Sequence, residues 1–413
     1  MKKQSFSSTI FPVTAAAVLM LLNASSALGG ATEKAILRFN KTNGLQPQNG
    51  LIADSQGNLY GVTTSGGISS CIPQGCGVVF KLSPGLNNTW TEKMLYQFKG
   101  GTADTDIPTT DLIFDAKGNL FGATWQDLSG HLGAVYELSP GIGGTWTEKT
   151  IYRFTSSGYD PGTHLTFDSQ GNLYGTLGQV FGASGGGVFQ LSPQSDGAWK
   201  ESILHTFSGN GDGQYALGGV VLDSKGNLYG VAQEGGAFSR GIVYELSPNG
   251  SGGWVETILY SFMEQVDGAY PIAPLTIDAK GNLYGTTLSG GANNFPVVFE
   301  LSQSGGKWSE TVLYTFDKYG YSPSNVVFDA KGNLYGTTVN GGAGCNNPGC
   351  GIVFTLTRQS TPPWKETVLH NFESNLDGSE PLAGVLLNNG HLYGTTEYGG
   401  GRYGYGTVFE IQP

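Results

Sequence analysis

The chain has 413 residues, 67 of them glycine, more than twice the usual share of roughly 7%. Lys and Arg total 21 against 32 Asp and Glu, for a net charge of −11. The absence of a Gly-X-Y period excludes collagen, 20 Tyr, 21 Phe and 7 Trp exclude a disordered linker, and the lack of a basic stripe excludes a nucleic-acid partner, leaving a fold dense in tight turns.

The N-terminus reads as a secretory signal peptide over residues 1–27. Lys2 and Lys3 form the basic start, and an apolar stretch runs from Ile10 to Leu22. That stretch is shorter than the roughly 20 residues that span a bilayer. Small residues then offer cleavage after Ala27 or Gly29. The mature chain is expected to be secreted, extracellular or periplasmic, with no membrane insertion.

Residues 30–413 are built from one unit. The string Gly-Asn-Leu-Tyr-Gly begins at Gly57, Gly118 (with Phe121), Gly171, Gly226, Gly281, Gly332 and Gly390 (with His391). Each unit offers four strand-like pieces rich in Val, Ile, Phe, Tyr and Thr. The first ends in Asp, as at Asp115 and Asp329. The second is Asn-Leu-Tyr-Gly-Thr-Thr, as at Asn282–Thr287. The third is Gly-x-Val-Phe-x-Leu, as at Gly77–Leu82. The fourth is Trp-x-Glu-x-x-Leu-Tyr-x-Phe, as at Trp90–Phe98. Asp-x-x-Gly between the first two suits a type I turn, with Gly supplying positive φ.

Seven four-stranded units predict an all-β fold, a seven-bladed β-propeller of antiparallel blades. The chain ends on a third strand, Gly406–Ile411, and the mature chain begins on a fourth, Thr32–Phe39. The N-terminal strand is therefore expected to complete the last blade and remove an open edge. An open β-solenoid is the alternative, and it would not need complementary ends. The closed ring is expected to be a monomer.

The four cysteines form two similar loops, Cys71–Cys76 and Cys345–Cys350. Local disulfides are expected in an exported chain, the competing reading being a shared four-thiolate zinc site. The strand-end acids Asp54, Asp115, Asp168, Asp223, Asp278 and Asp329 recur too often for one active site and read as turn stabilisers. Glu33, Glu92, Glu148, Glu201, Glu256, Glu310 and Glu366 likewise read as ladder or interblade partners. His205 and His370 stand where other units have Tyr and read as packing variants. An Asp-Gly-x-x-Pro theme at Asp267 and Asp377, partial at Asp106 and Asp212, could hold calcium but lacks EF-hand spacing and reads as turns. No cofactor is expected.

Departures from the repeat mark the candidate site. Blade 2 replaces its Gly-Gly loop with Trp125, Gln126, Asp127, Leu128, Ser129, Gly130 and His131. The next crossing holds Tyr159, Asp160 and His164, and blade 3 adds Gln179, Val180 and Phe181. Trp125, Gln126, Asp127, His131, Tyr159, Asp160, His164 and Phe181 are the candidate ligand contacts. Aromatic platforms beside carboxylates and amides suit sugar rings. Drift in a degenerate repeat is the alternative. A second patch holds Glu397, Tyr398, Arg402, Tyr403 and Tyr405.

Taken together, Asn-Leu-Tyr-Gly-Thr-Thr, Gly-Gly, Gly-x-Val-Phe-x-Leu and Trp-x-Glu resemble the GloVer tandem repeat of exported bacterial proteins with differing surface anchors. The layout is also similar to Kelch and regulator-type propellers. The resemblance implies export and a repeat fold and supplies no catalytic residue. This chain ends at Pro413 directly after a strand, unlike the anchored members. The reading is a binding scaffold for a glycan, peptide or cell-surface protein. The alternatives are a carbohydrate-active enzyme using Asp127 and Asp160, or a purely structural repeat protein. Against an enzyme, the five His are scattered singly.

Overall fold

The computed structural model describes residues 31–67, 71, 74–100, 104–125, 132–155, 159–179, 185–209, 211–317, 320–346 and 348–413. Seven antiparallel sheets follow one another along the chain. Blade 1 contains Ile52–Ala53, Leu59–Thr63, Val78–Pro84 and Trp90–Gln97, paired in that order. The ring closes as the complementary ends require. Blade 7 contains Leu386–Asn388, His391–Thr396 and Thr407–Gln412, and its fourth strand is Thr32–Arg38, in register from Thr32 against Gln412 to Arg38 against Thr407. Blades 3 and 6 gain a short strand in the crossing that enters them, Tyr159–Pro161 and Gly320–Pro323, each paired with the end of its blade's second strand. Among the described residues no helix is long and apolar enough to cross a membrane.

The aspartates do the work expected of them. Asp54 accepts through Oδ1 from the backbone N–H groups of Gln56 and Asn58, and through Oδ2 from the Asn58 amide and the Tyr60 hydroxyl, all at 2.7–2.9 Å. Asp168, Asp223, Asp278 and Asp329 repeat the pattern with Tyr174, Tyr229, Tyr284 and Tyr335. Asp115 lacks the hydroxyl partner because Phe121 replaces the Tyr. Partial burial pushes Asp54, Asp223 and Asp329 upward, but the donated hydrogen bonds outweigh it and hold them below the usual carboxylate range.

Two kinds of glycine emerge. Gly226 at the hairpin has φ +85° and open space around it, so it is there for its backbone conformation. Gly230, four residues on in the second strand, is there for room. A Cβ at Gly230 would press into the Tyr244 ring, and one at Gly61, Gly122, Gly175, Gly285, Gly336 or Gly394 would press into the matching third-strand ring. Each of those rings meets the Phe that ends the previous blade, edge to face. Phe39–Phe80, Phe98–Tyr136, Phe154–Phe189, Phe207–Tyr244, Phe262–Phe299, Phe316–Phe354 and Phe372–Phe409 all lie 5.0–5.3 Å apart.

Threonine supplies the polar counterpart of this packing. The Thr after the strand-two Gly reaches the channel segment of the following blade: Thr286 to Pro323 and Ser324, Thr337 to Ala383, Thr395 to Asn49. The fourth-strand glutamates sit at the blade junctions too. Glu201 accepts from Tyr152 of the blade before, Glu366 from Tyr314, and Glu92 from Asn43. Burial, as the largest cause, pushes Glu33, Glu148 and Glu256 up to about 7 and Glu310 to about 8.

One expectation needs correcting. In the crossing from blade 1 to blade 2, Asp104 rather than Asp106 makes the turn, accepting from Lys99 N–H and the Tyr96 hydroxyl at 2.9 and 2.8 Å. The crossing is one residue longer than its counterparts, in which Asp267 and Asp377 bond the N–H four residues back.

Two predictions follow from these contacts. Gly230→Ala is expected to cost about 3 kcal/mol by overpacking against Tyr244, and Gly226→Ala about 1–2 kcal/mol by forcing a Cβ into the left-handed region. Urea midpoints of the two variants check the order, and equal losses would refute the division of roles. The raised glutamates mean that the folded chain holds extra protons between the ordinary glutamate value of 4.5 and about 8, so stability should fall as pH rises through that window. Below roughly pH 4 the hairpin aspartates act oppositely, because protonation removes their acceptor strength. The thermal midpoint should therefore peak near pH 5, and Glu310→Gln should raise it at pH 8 with little change at pH 5.

Candidate functional site

In every blade but the third and sixth, an isolated bridge ties the incoming crossing to the end of the second strand, as between Pro108 and Thr124 and between Gln214 and Glu234. In those two blades a short strand does the same. Crossings and second-to-third loops therefore share one face, where the sequence varies most.

The structure divides the candidate contacts of blades 2 and 3. Trp125 lies on the loop face, half-exposed, its N–H donating to the Ile107 carbonyl. Tyr159 and Asp160 belong to the added strand of blade 3. His164 lines the central channel instead, with Nδ1 3.6 Å from Asp111 Oδ2. Gln126, Asp127, His131 and Phe181 lie outside the described residues.

The channel wall is built by the residue four positions before each hairpin acid: Gly50, Asp111, His164, Gly219, Pro274, Asn325 and, before Asn388, Gly384. Polar side chains take three of these seven positions. Glycines beside them make the room. A Cβ at Gly50 would meet the Asp111 carboxylate, one at Gly219 would meet His164, and one at Gly384 would meet the Asn325 amide. Gly50 N–H also donates to Asp111 Oδ1. Cavities of about 290 and 310 Å³ occupy the two halves of the channel, with Asp111 and Asn325 lining both. Of this ring only His164 stands out in the sequence, because no two polar members are of one type.

The second patch becomes a groove between blades 7 and 1. Its cavity of about 430 Å³ is lined by Lys41, Gln46, Gln74, Tyr398, Tyr403 and Tyr405, among others. The Tyr403 and Tyr405 rings stack at 5.7 Å and 9°, and the Arg402 guanidinium lies 5.7 Å from the Tyr403 ring. Tyr403 is 58% exposed and Tyr398 38%. Beside them Glu397 is buried, its Oε1 accepting from the Gln46 and Gln48 amides at 3.2 and 2.8 Å. The Glu397 carboxylate holds the Tyr398 phenol above its usual range. Gln46 adopts φ +57° and donates its N–H to the Tyr405 carbonyl, so both walls share one backbone arrangement. Sequence reading found the tyrosines but not Gln46 and Gln74, which arrive from the opposite end of the chain.

One disulfide borders this groove and the other connects to it through blade 7. Cys71–Cys76 closes the loop that presents Gln74, with a Cα separation of 5.2 Å. Cys345–Cys350 closes the blade 6 loop at 5.5 Å, and the Cys350 carbonyl accepts from Glu380 N–H. The Glu380 carbonyl in turn accepts from Glu397 N–H.

These features define a repeat-built seven-bladed β-propeller with a variable loop face, a polar channel and an aromatic groove. The chain belongs to the Gloeobacter/Verrucomicrobia repeat family, whose model matches residues 22–187, 68–279 and 253–413. No curated protein matches it. Among solved structures it is similar to PorZ, a bacterial surface component of the type-IX secretion system of Porphyromonas gingivalis, at 18% identity and a TM-score of 0.52 over 90% of this chain and 46% of that one. It is also similar to the extracellular domain assigned to the hybrid two-component system BT3049 of B. thetaiotaomicron, at 15% identity and a TM-score of 0.56 over 92% and 41%. A Bacteroides fragilis protein assigned as a 6-phosphogluconolactonase matches at 13% identity and 0.53 over 84% and 87%. The chain thus spans less than half the length of the first two, and at these identities the likeness is one of fold.

Proposed function

We propose that this protein is an exported binding propeller that takes a carbohydrate in the groove between blades 7 and 1. The observation that carries the reading is the stacked Tyr403–Tyr405 pair beside a buried carboxylate held by two amides. Sugar rings present C–H faces that pack on aromatic rings and rims of hydroxyls that exchange hydrogen bonds. The groove offers flat rings and, at its edge, Gln46, Gln74, Lys41 and the Tyr398 hydroxyl. The paired amides and the fixed carboxylate present donors and acceptors to such hydroxyls.

Export is supported by the basic start and apolar stretch of residues 1–27 and by the two disulfides. PorZ and the BT3049 domain, which share the fold, are described as surface and extracellular components. Trp125 on the same face provides a second aromatic contact for a longer glycan.

A glycan array probed with protein beginning at Ala31 tests the reading. Binding is expected, weakened roughly five- to tenfold by Tyr403→Ala and by Tyr398→Ala, because each aromatic ring contributes roughly 1–1.5 kcal/mol. Trp125→Ala should weaken only extended oligosaccharides. Full binding in both tyrosine variants, or none by the parent protein, would overturn the proposal.

A further inference from the structure

The junctions between blades carry a repeated polar cluster. The residue before the last but one of each fourth-strand motif points toward the acid of the following crossing and the glutamate of the next blade. At four junctions it is Tyr, and its hydroxyl is always bonded. Tyr96 donates to Asp104 and Tyr260 to Asp267, while Tyr152 donates to Glu201 and Tyr314 to Glu366, all at 2.7–2.9 Å. Between blades 6 and 7 it is His370, whose Nε2 lies 2.9 Å from Asp377 Oδ2. These groups form closed pairs.

The junction of blades 3 and 4 is different. His205 Nε2 is buried and makes no hydrogen bond, and it lies 3.6 Å from Glu256 Oε2. Glu256 Oε1 is likewise buried without a partner. Asp212 accepts from the Ser208 N–H and hydroxyl, each at 2.8 Å, and among the described residues it takes no hydrogen bond from the His205 position. A buried glutamate oxygen without a partner also occurs at Glu33, Glu92 and Glu310. Among the described residues, only this junction adds an unbonded imidazole nitrogen and a carboxylate whose ligand atoms all lie within 4.8 Å of one another.

We propose that His205, Asp212 and Glu256 form a site for a divalent transition-metal ion of the zinc class. Zinc bonds of about 2.0–2.2 Å at tetrahedral angles set ligand atoms roughly 3.3–3.6 Å apart, too far for a hydrogen bond and matched by the His205–Glu256 separation. One imidazole and two carboxylates are a ligand set that borderline ions favour over calcium, which takes more oxygens. Ser208 holds the Asp212 carboxylate in place, as outer partners of metal ligands do. The site lies at the blade 3–blade 4 junction and does not depend on the glycan groove. The other His/Cys/Asp group with ligand spacing, Cys71, Cys76 and Asp106, has both sulfurs committed to a disulfide.

The test is a titration of metal-stripped protein beginning at Ala31 with Zn²⁺ alone, in competition with a chromophoric chelator. One equivalent is expected to bind. His205→Tyr restores the residue four sister blades carry, so it should fold, and it should weaken binding at least tenfold. His370→Tyr should leave binding unchanged. Co²⁺ should give the intense visible bands of a four-coordinate site in the parent protein and lose them in His205→Tyr. Absence of stoichiometric Zn²⁺ binding, or equal binding by parent and His205→Tyr, would overturn the assignment.

Discussion

The fold rests on one close approach repeated at seven junctions: a glycine in each second strand lets the aromatic ring of the third lie flat over the sheet. Only in that position does the ring present its face to the Phe of the preceding blade. Seven edge-to-face pairs then run around the ring, and each couples two neighbouring blades. The pair that joins blades 7 and 1 uses Phe39, directly after the N-terminal strand. Ring closure is therefore made by the same contact as every other junction. Propeller geometry follows from a residue with no side chain, since any Cβ there would displace the ring and separate the blades.

Much of this architecture could be read from the sequence. Seven hairpin motifs, seven glutamates and two complementary chain ends gave blade number, strand order and closure, and the aspartates act in turns as their recurrence implied. What composition alone blurred was the purpose of glycine. Both kinds recur with the same period, yet the hairpin glycines are needed for positive φ and the strand-two glycines for space. A count cannot separate the two. Only the ring on the neighbouring strand does, and its position depends on pairing register.

The site was less legible, for a physical reason. A repeat announces its departures wherever they fall, but a binding surface forms where departures from several units meet. Tyr398, Tyr403 and Tyr405 stood out as a patch. Gln46 and Gln74 complete the groove only because the ring brings both ends of the chain together, so that Gln46 bonds Glu397, 351 positions away in sequence. Asp111, His164 and Asn325 occupy one aligned position but differ in kind, so no motif marks them. His205 and His370 looked like equivalent substitutions for Tyr. They differ because Asp212 accepts from both the N–H and the hydroxyl of Ser208, whereas Asp377 Oδ2 is shared between Glu373 N–H and His370.

Symmetric contacts and asymmetric sites thus have separate places in the molecule. Phe–aromatic pairs, strand-two glycines and threonine links hold each blade to the next, the aromatic pairs at all seven junctions. Loops and crossings on the one face are released from that duty and can differ. Where such a segment must be held, the chain adds a local constraint: Cys71–Cys76 behind Gln74, and Cys345–Cys350 leading through Glu380 to Glu397. The two disulfides stand in blades 1 and 6, on either side of blade 7, the blade closed by the chain's two ends. A groove at that junction needs walls from both ends of the chain held in one geometry. Local cross-links reduce the freedom the loops would otherwise lose on binding. Under the proposed function, the Cys71–Cys76 link holds ready the wall that carries Gln74.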